Sequence, residues 1–255
     1  MSITMDYSGK KVLITGGSRG IGKATAMAFA AKGATVGINY KSNKEAAQKT
    51  LAGLPGDGHQ LFACDISQTE APEQLVSDFI SRFEKLDILV NNAGISIFHN
   101  VEDSFDHWNQ AWQELMQMNV ITAANLTYWA AQAMKSHGGG KIVNVSSRGA
   151  FRGEPAKPAY AASKAALNAM SQSMAKALAK DNIYCYVVAP GFTETDMASK
   201  TLTEVERKAL LAESPFGRMA QPEEVGNGIL ALVNEGMEYA SGAILDINGA
   251  SYLRS

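Results

Sequence analysis

Short apolar runs recur along the chain, and longer amphipathic or alanine-rich stretches separate them. The runs cover Lys11–Thr15, Thr35–Asn39, Gln60–Cys64, Asp87–Asn91, Lys141–Val145, Ile183–Ala189 and Gly242–Ile247. They are nearly continuous in Val, Ile, Leu and Ala, which predicts strands buried on both faces of a parallel sheet. The intervening stretches carry helix signals. Residues 20–33 are rich in alanine and close on Gly33, a plausible left-handed stop. Residues 70–85 place Leu75, Phe79 and Phe83 on one face. Residues 104–136 form one long segment ending at Gly138-Gly139-Gly140, and residues 158–180 start on Pro158, suited to a first helical turn. Residues 222–234 open with a proline and two acids, favourable at a helix N-terminus.

This β-α order, sustained to residue 247, predicts an α/β fold. The expectation is a single doubly wound, Rossmann-type domain over residues 1–255, with a seven-stranded parallel sheet and helices on both faces. The interval 190–241 has no strand and reads as a mostly helical insertion. Within it, residues 193–215 lie between Gly191 and Gly217 and read as a mobile lid over the substrate.

Composition narrows the possibilities. The 255 residues are 46% hydrophobic, with 23 Lys+Arg against 25 Asp+Glu and a net charge of −2. That balance argues against nucleic-acid and membrane-surface partners. No run approaches the roughly 18 apolar residues of a bilayer span. No apolar stretch precedes the first lysines, so no signal peptide is expected and a cytoplasmic setting is. Cys64 and Cys185 lie in apolar strand-like runs and are expected as buried, reduced thiols. His59, His99, His107 and His137 lack ligand spacing, so no metal is predicted.

The first strand runs into Thr15-Gly16-Gly17-Ser18-Arg19-Gly20-Ile21-Gly22 and then a helix. Glycines let the backbone turn tightly against a pyrophosphate, and a helix N-terminus offers it free N–H groups. The spacing Gly16, Gly20, Gly22 differs from the commoner G-x-G-x-x-G. NAD sites usually place a carboxylate on the ribose about 20 residues further on. Here the second strand ends Asn39-Tyr40-Lys41-Ser42, with no carboxylate until Glu45. Arg19 and Lys41 are the bases available to a 2′-phosphate, which predicts NADP(H); read as solvated surface charges, they would say nothing about the cofactor.

Tyr160 and Lys164 stand four apart on a predicted helix and share a face. An ammonium beside a phenol favours the phenolate and lowers its pKa, which suits proton transfer. Ser147 closes the fifth strand thirteen residues earlier and could donate to a carbonyl oxygen.

Together these motifs resemble the classical short-chain dehydrogenases/reductases, over nearly the whole chain. They are the glycine loop, Asp65, Asn91-Asn92-Ala93-Gly94, Asn119, Ser147, Tyr160-x-x-x-Lys164, and Pro190-Gly191 followed by Thr193 and Thr195. The stretches TGGSRGIG, VVAPGFTETDM and SGAILDINGA are most similar to the 3-oxoacyl-acyl-carrier-protein-reductase-like branch. The resemblance implies Tyr160 as general acid or base, with Lys164 lowering its pKa and holding the nicotinamide ribose. It implies that Ser147 polarises the carbonyl and that Asn119 bends its helix and holds a water linking Lys164 to solvent. Cofactor contacts are implied for Gly16, Ser18, Arg19, Gly20, Ile21, Gly22, Tyr40, Lys41, Ser42, Asp65, Ile66, Asn92, Ala93 and Gly94. At the nicotinamide end they are implied for Tyr160, Lys164, Pro190, Gly191, Phe192, Thr193 and Thr195.

A substrate pocket is expected from Ile95, Ser96, Phe98, Phe151, Arg152, Phe192 and Met197. Arg148 and Arg152 read as solvated loop arginines, with an anion-binding role as the sharper alternative. The basic residues that dock acyl-carrier protein in the family are not clearly reproduced before the sixth strand, where the chain reads Lys176-Ala-Leu-Ala-Lys180-Asp-Asn. Segments 104–136, crowded by Trp108, Trp112, Leu115, Tyr128 and Trp129, and 158–180 are apolar over much of their circumference; one wide core face would explain this, and the resemblance makes them a four-helix dimer interface within a homotetramer. The expected function is reduction of a small-molecule or acyl-thioester carbonyl, or the reverse oxidation. A non-catalytic nucleotide sensor is the alternative from another class.

Overall fold

The computed structural model describes residues 5–195 and 204–254. Seven strands form one sheet, in the order β3-β2-β1-β4-β5-β6-β7. They are β1 (Lys11–Ile14), β2 (Thr35–Tyr40), β3 (Gln60–Ala63), β4 (Ile88–Asn91), β5 (Gly140–Val145), β6 (Ile183–Pro190) and β7 (Ile244–Ile247). Every pairing is parallel, with Val12 opposite Val36 and Ile88, and Val143 opposite Val90 and Tyr186. Strand order reverses between β1 and β4, the point where sheets of this kind bind ligands.

Alternate residues of each central strand feed opposite layers. Val12, Ile14, Val143, Val145, Tyr186 and Val188 join one core, and Leu13, Ile142, Ile183 and Cys185 join the other. The first layer is covered by α1 (Gly20–Ala30) and α9 (Pro222–Leu232), the ninth α-helix among the described residues. These helices approach so closely that a Cβ on Gly226 would meet Ala24 and Thr25 backbone at 3.2 Å. The second layer holds α3 (Ala71–Phe83), α5 (Thr122–Lys135) and α7 (Pro158–Leu178). The remaining helices are α2 (Lys44–Gly53), α4 (Phe105–Met116), α6 (Gly149–Arg152) and α8 (Glu204–Glu213). The start of α2 is marked by Asn43, whose side chain accepts from Ala46 N–H.

Three expectations need correction. The segment 104–136 is not one helix: α4 and α5 are joined by a π-helical turn, Gln117–Ile121, in which Thr122 Oγ1 donates to Gln117 O at 2.9 Å. β3 and β7 are the edge strands and neither has a fully buried residue, so they are not covered on both faces, and Cys64 just beyond β3 is half-buried. Cys185, on the interior strand β6, is buried as expected. The interval 190–241 is not all insertion. α9 is a full member of the first layer, started by a capping box in which Gln221 N–H donates to Glu224 Oε2 at 2.7 Å.

Candidate active site

The glycine loop leaves β1 through Thr15, whose hydroxyl accepts N–H bonds from Asn92 and Ala93 at 3.0 Å each. Asn92 Nδ2 returns bonds to Thr15 O at 2.9 Å and Gly16 O at 3.2 Å. The loop is thus bolted to the segment that leaves β4. A Cβ on Gly22 would sit 2.4 Å from Gly16 O and 2.6 Å from Asn92 Nδ2, so no larger residue fits there. Gly16 and Gly20 hold φ of 62° and 52°, backbone that L side chains rarely adopt. The first turn of α1 carries no acid, leaving the positive end of its dipole unopposed.

From this loop a cavity of about 710 Å³ runs to Tyr160, within the ~300–1,000 Å³ range of small-molecule sites. Its wall includes Gly16, Ser18, Arg19, Gly20, Ile21, Tyr40, Lys41, Ser42, Asn92, Ala93 and Gly94 at one end. At the other end lie Ile95, Ser96, Phe98, Ser147, Tyr160, Lys164 and the exit of β6 from Pro190 to Thr193 with Thr195. A backbone-lined cradle that tolerates no Cβ, opening on a helix N-terminus, fits the pyrophosphate of a dinucleotide.

The two expected phosphate-binding bases are placed differently. Lys41 is 68% exposed and its ammonium pairs with Asp65 at 2.8 Å. That contact, with help from Ser67, holds the Asp65 carboxyl below its usual range. Arg19 is exposed on the cavity rim, and among the described residues it makes no ion pair.

At the far end, Ser147 follows β5 and its Oγ accepts from Gly149 N–H at 3.0 Å. The Ser147 hydroxyl pulls the Tyr160 phenol down, but burial pushes it up more strongly and Glu154 adds to the rise. Burial is thus the largest influence on the Tyr160 phenol in the protein without cofactor. Lys164 is buried, its Nζ donates to Val145 O at 2.8 Å and lies 5.9 Å from the Tyr160 ring centre. Burial pushes its ammonium down to about 8.

Asn119 occupies the π turn and does not line the cavity. Its Oδ1 accepts from Ile95 N–H at 2.9 Å, while Nδ2 donates to Ile95 O and Ser163 Oγ, each at 3.0 Å. Ser163 in turn donates to Tyr160 O at 2.8 Å. Asn119 therefore ties the segment after β4 to the helix carrying Tyr160 and Lys164. Widened turns at such places are common in functional sites.

Some expected residues stand elsewhere. Ile66 is buried in the second core, and Phe151 lies under the Arg254 guanidinium, 4.5 Å from ring centre to Cζ. Arg152 pairs with Glu213 at 3.0 Å and Glu154 at 3.4 Å. Met197 lies outside the described residues. Arg148 is not solvated: its side chain is 3% exposed, stacks 4.8 Å from the Phe192 ring centre and pairs with Glu213 of α8. Sequence reading also missed Lys157, Glu154 and Met118, which line the same cavity. The proximity of Lys157 to Tyr160 was the one available signal. His99 proves structural: its Nε2 accepts from Ala159 N–H at 3.1 Å, so its proton sits on Nδ1, facing Ile97 O at 3.0 Å.

The sequence model of the short chain dehydrogenase family matches residues 10–206. The chain is 36% identical over 252 residues to the 3-oxoacyl-[acyl-carrier-protein] reductase FabG of Thermotoga maritima, covering 96% of this chain and 98% of that protein. It is 35% identical over 254 residues to the 3alpha-hydroxysteroid dehydrogenase of Mediterraneibacter gnavus, covering 97% and 98%. With the Escherichia coli FabG it shares 33% over 249 residues, covering 98% and 100%. The chain belongs to the short chain dehydrogenase family, and within it to the group similar to 3-oxoacyl-[acyl-carrier-protein] reductases.

Proposed function

We propose that the protein is an NADPH-dependent carbonyl reductase, acting on a ketone or 3-oxoacyl-type substrate and able to run the reverse oxidation. One observation carries this reading: Ser147, Tyr160 and Lys164 converge in the cavity that begins at the glycine loop. The reductase and dehydrogenase names of the relatives support it.

When bound, the nicotinamide supplies or accepts the hydride. The protein's own groups handle the oxygen. Ser147 donates to the carbonyl oxygen and polarises it. Tyr160, held protonated by burial, is in the state needed to give its phenolic proton to that oxygen during reduction. Lys164, pushed down to about 8, exchanges a proton near neutral pH and adds positive charge beside the alkoxide. The ribose hydroxyls would be held by Tyr160 and Lys164, and Arg19 would meet the 2′-phosphate. Residues 193–215, of which 196–203 lie outside the described residues, would serve as the lid of a single-domain enzyme. Among the described residues no helix is long and apolar enough to cross a membrane. The exposed Phe105, Ile121 and Tyr128 of α4, the π turn and α5 supply the apolar face for a helix-bundle dimer within a homotetramer.

The test is NADPH oxidation with ketones, 3-oxoacyl thioesters and sugars. Tyr160→Phe should lose about 10²- to 10⁴-fold in turnover while still binding NADPH. Near-wild-type turnover by that variant would refute the mechanism and leave a nucleotide sensor as the better reading.

A further inference from the structure

The substrate end of the cavity holds more charge than hydride and proton transfer require, and most of it cancels. Arg148 and Arg152 share Glu213, and Arg152 also reaches Glu154. Two arginines thus meet two glutamates. Lys157 is left over. Its Nζ makes no hydrogen bond or ion pair among the described residues; Glu154 acts on it only at longer range. The ammonium instead lies across two rings, 4.9 Å from the Phe98 ring centre and 5.6 Å from that of Tyr160. It lines the cavity together with both rings.

A desolvated, unpaired ammonium is costly, and a ligand carboxylate is the natural partner to offset it. The two rings already hold the ammonium between them, so little side-chain freedom is lost when the anion arrives. We propose that Lys157 is a specificity-determining residue that binds an anionic group of the substrate, and that the substrates are oxo acids with the carboxylate a few bonds from the reacting carbonyl. The inference rests on the carbonyl-reductase reading and names its substrate class. The carbonyl meets Ser147 and Tyr160, the carboxylate meets Lys157, and Phe98 covers the hydrocarbon between them. Arg148 does not compete for the anion, because Glu213 already occupies its guanidinium.

The experiment compares pyruvate, acetoacetate and levulinate with their methyl esters, using NADPH. Wild type should favour at least one acid over its ester by about tenfold or more in kcat/KM, mostly through KM. Lys157→Met, which keeps an apolar stem over the rings, should bring that ratio to within about twofold, and Lys157→Arg should restore most of it. No preference in wild type, or a preference kept by Lys157→Met, overturns the proposal. Equal losses on acid and ester would make Lys157 a support for Tyr160 and also overturn it. If wild type reduces neither set, the carbonyl-reductase reading fails for these substrates. The anion site is then decided by calorimetric titration of the three acids into the NADP⁺-loaded protein. Saturable binding lost in Lys157→Met supports the site, and its absence in wild type overturns it.

Discussion

At the glycine-loop end the cavity wall is backbone, whereas at the Tyr160 end it is side chains brought from separate segments. Gly22 leaves no space for even a methyl group, and Thr15 and Asn92 lock the loop to β4 with four hydrogen bonds between 2.9 and 3.2 Å. Around Ser147, by contrast, Arg148, Arg152, Glu154, Lys157 and Glu213 form a charged rim that single substitutions can rewire. The difference teaches which end can vary. A wall of packed backbone has no conservative substitute, while ion pairs can change partners and so change what the site accepts.

The sharpest way to break the comparison is Gly22→Ala. The added Cβ meets backbone at 2.4 Å and 2.9 Å, which a close-packed interior cannot absorb cheaply. Overpacking of this kind costs about 1–3 kcal/mol, or roughly 2–12 °C in Tm for a chain of this size. Dinucleotide affinity should fall by about a hundredfold or more, since the cradle must shift to relieve the clash. Calorimetric titration with NADP⁺ and a thermal melt check both. Unchanged affinity would show that the loop is softer than its contacts imply.

Arg19→Gln tests a side chain at the rigid end. With Lys41 committed to Asp65, Arg19 is the base left for a 2′-phosphate. The variant should raise the KM for NADPH about tenfold and leave the KM for NADH within twofold. If both rise together, Arg19 holds the cofactor without choosing between its forms.

The smallest effect is expected from Glu213→Gln at the adaptable end. It removes the carboxylate shared by the buried Arg148 and the more exposed Arg152, leaving the Arg148 guanidinium beside the Phe192 ring without that ion pair. Amide exchange in α8 should quicken, and KM for carbonyl substrates should move about two- to fivefold with little change in kcat. If α8 exchange did not change, the Arg148 pairing would not be what anchors that helix.

Much of this was legible in the sequence because it is local. All seven strands announced themselves as apolar runs, and each boundary lies within two residues of expectation. Glycine positions, the strand-loop-helix order and the i, i+4 spacing of Tyr160 and Lys164 were enough to point at one end of one sheet. The edge position of β3 was not legible. An apolar run does not state how many neighbours its strand will have, so Cys64 was expected deeper than it lies. The resemblance implied a bend at Asn119, but the π turn itself could not be read from residues 117–121, because the Asn119 side chain bonds to the distant Ile95.

The amino-acid sequence by itself determined the parallel sheet, the cradle of glycines and the pairing of Tyr160 with Lys164 on one helix face. These depend on backbone sterics and on burial, and each residue carries its own share of both. Only the tertiary structure decided which charges are spent and which remain available. Arg148 looked solvated and is buried against Glu213, 65 residues away; Lys41 looked available and is held by Asp65; Lys157 drew no notice and stands beside Tyr160 with no ion pair among the described residues. Charge pairing acts through space between segments that folding brings together, so no local pattern can encode it.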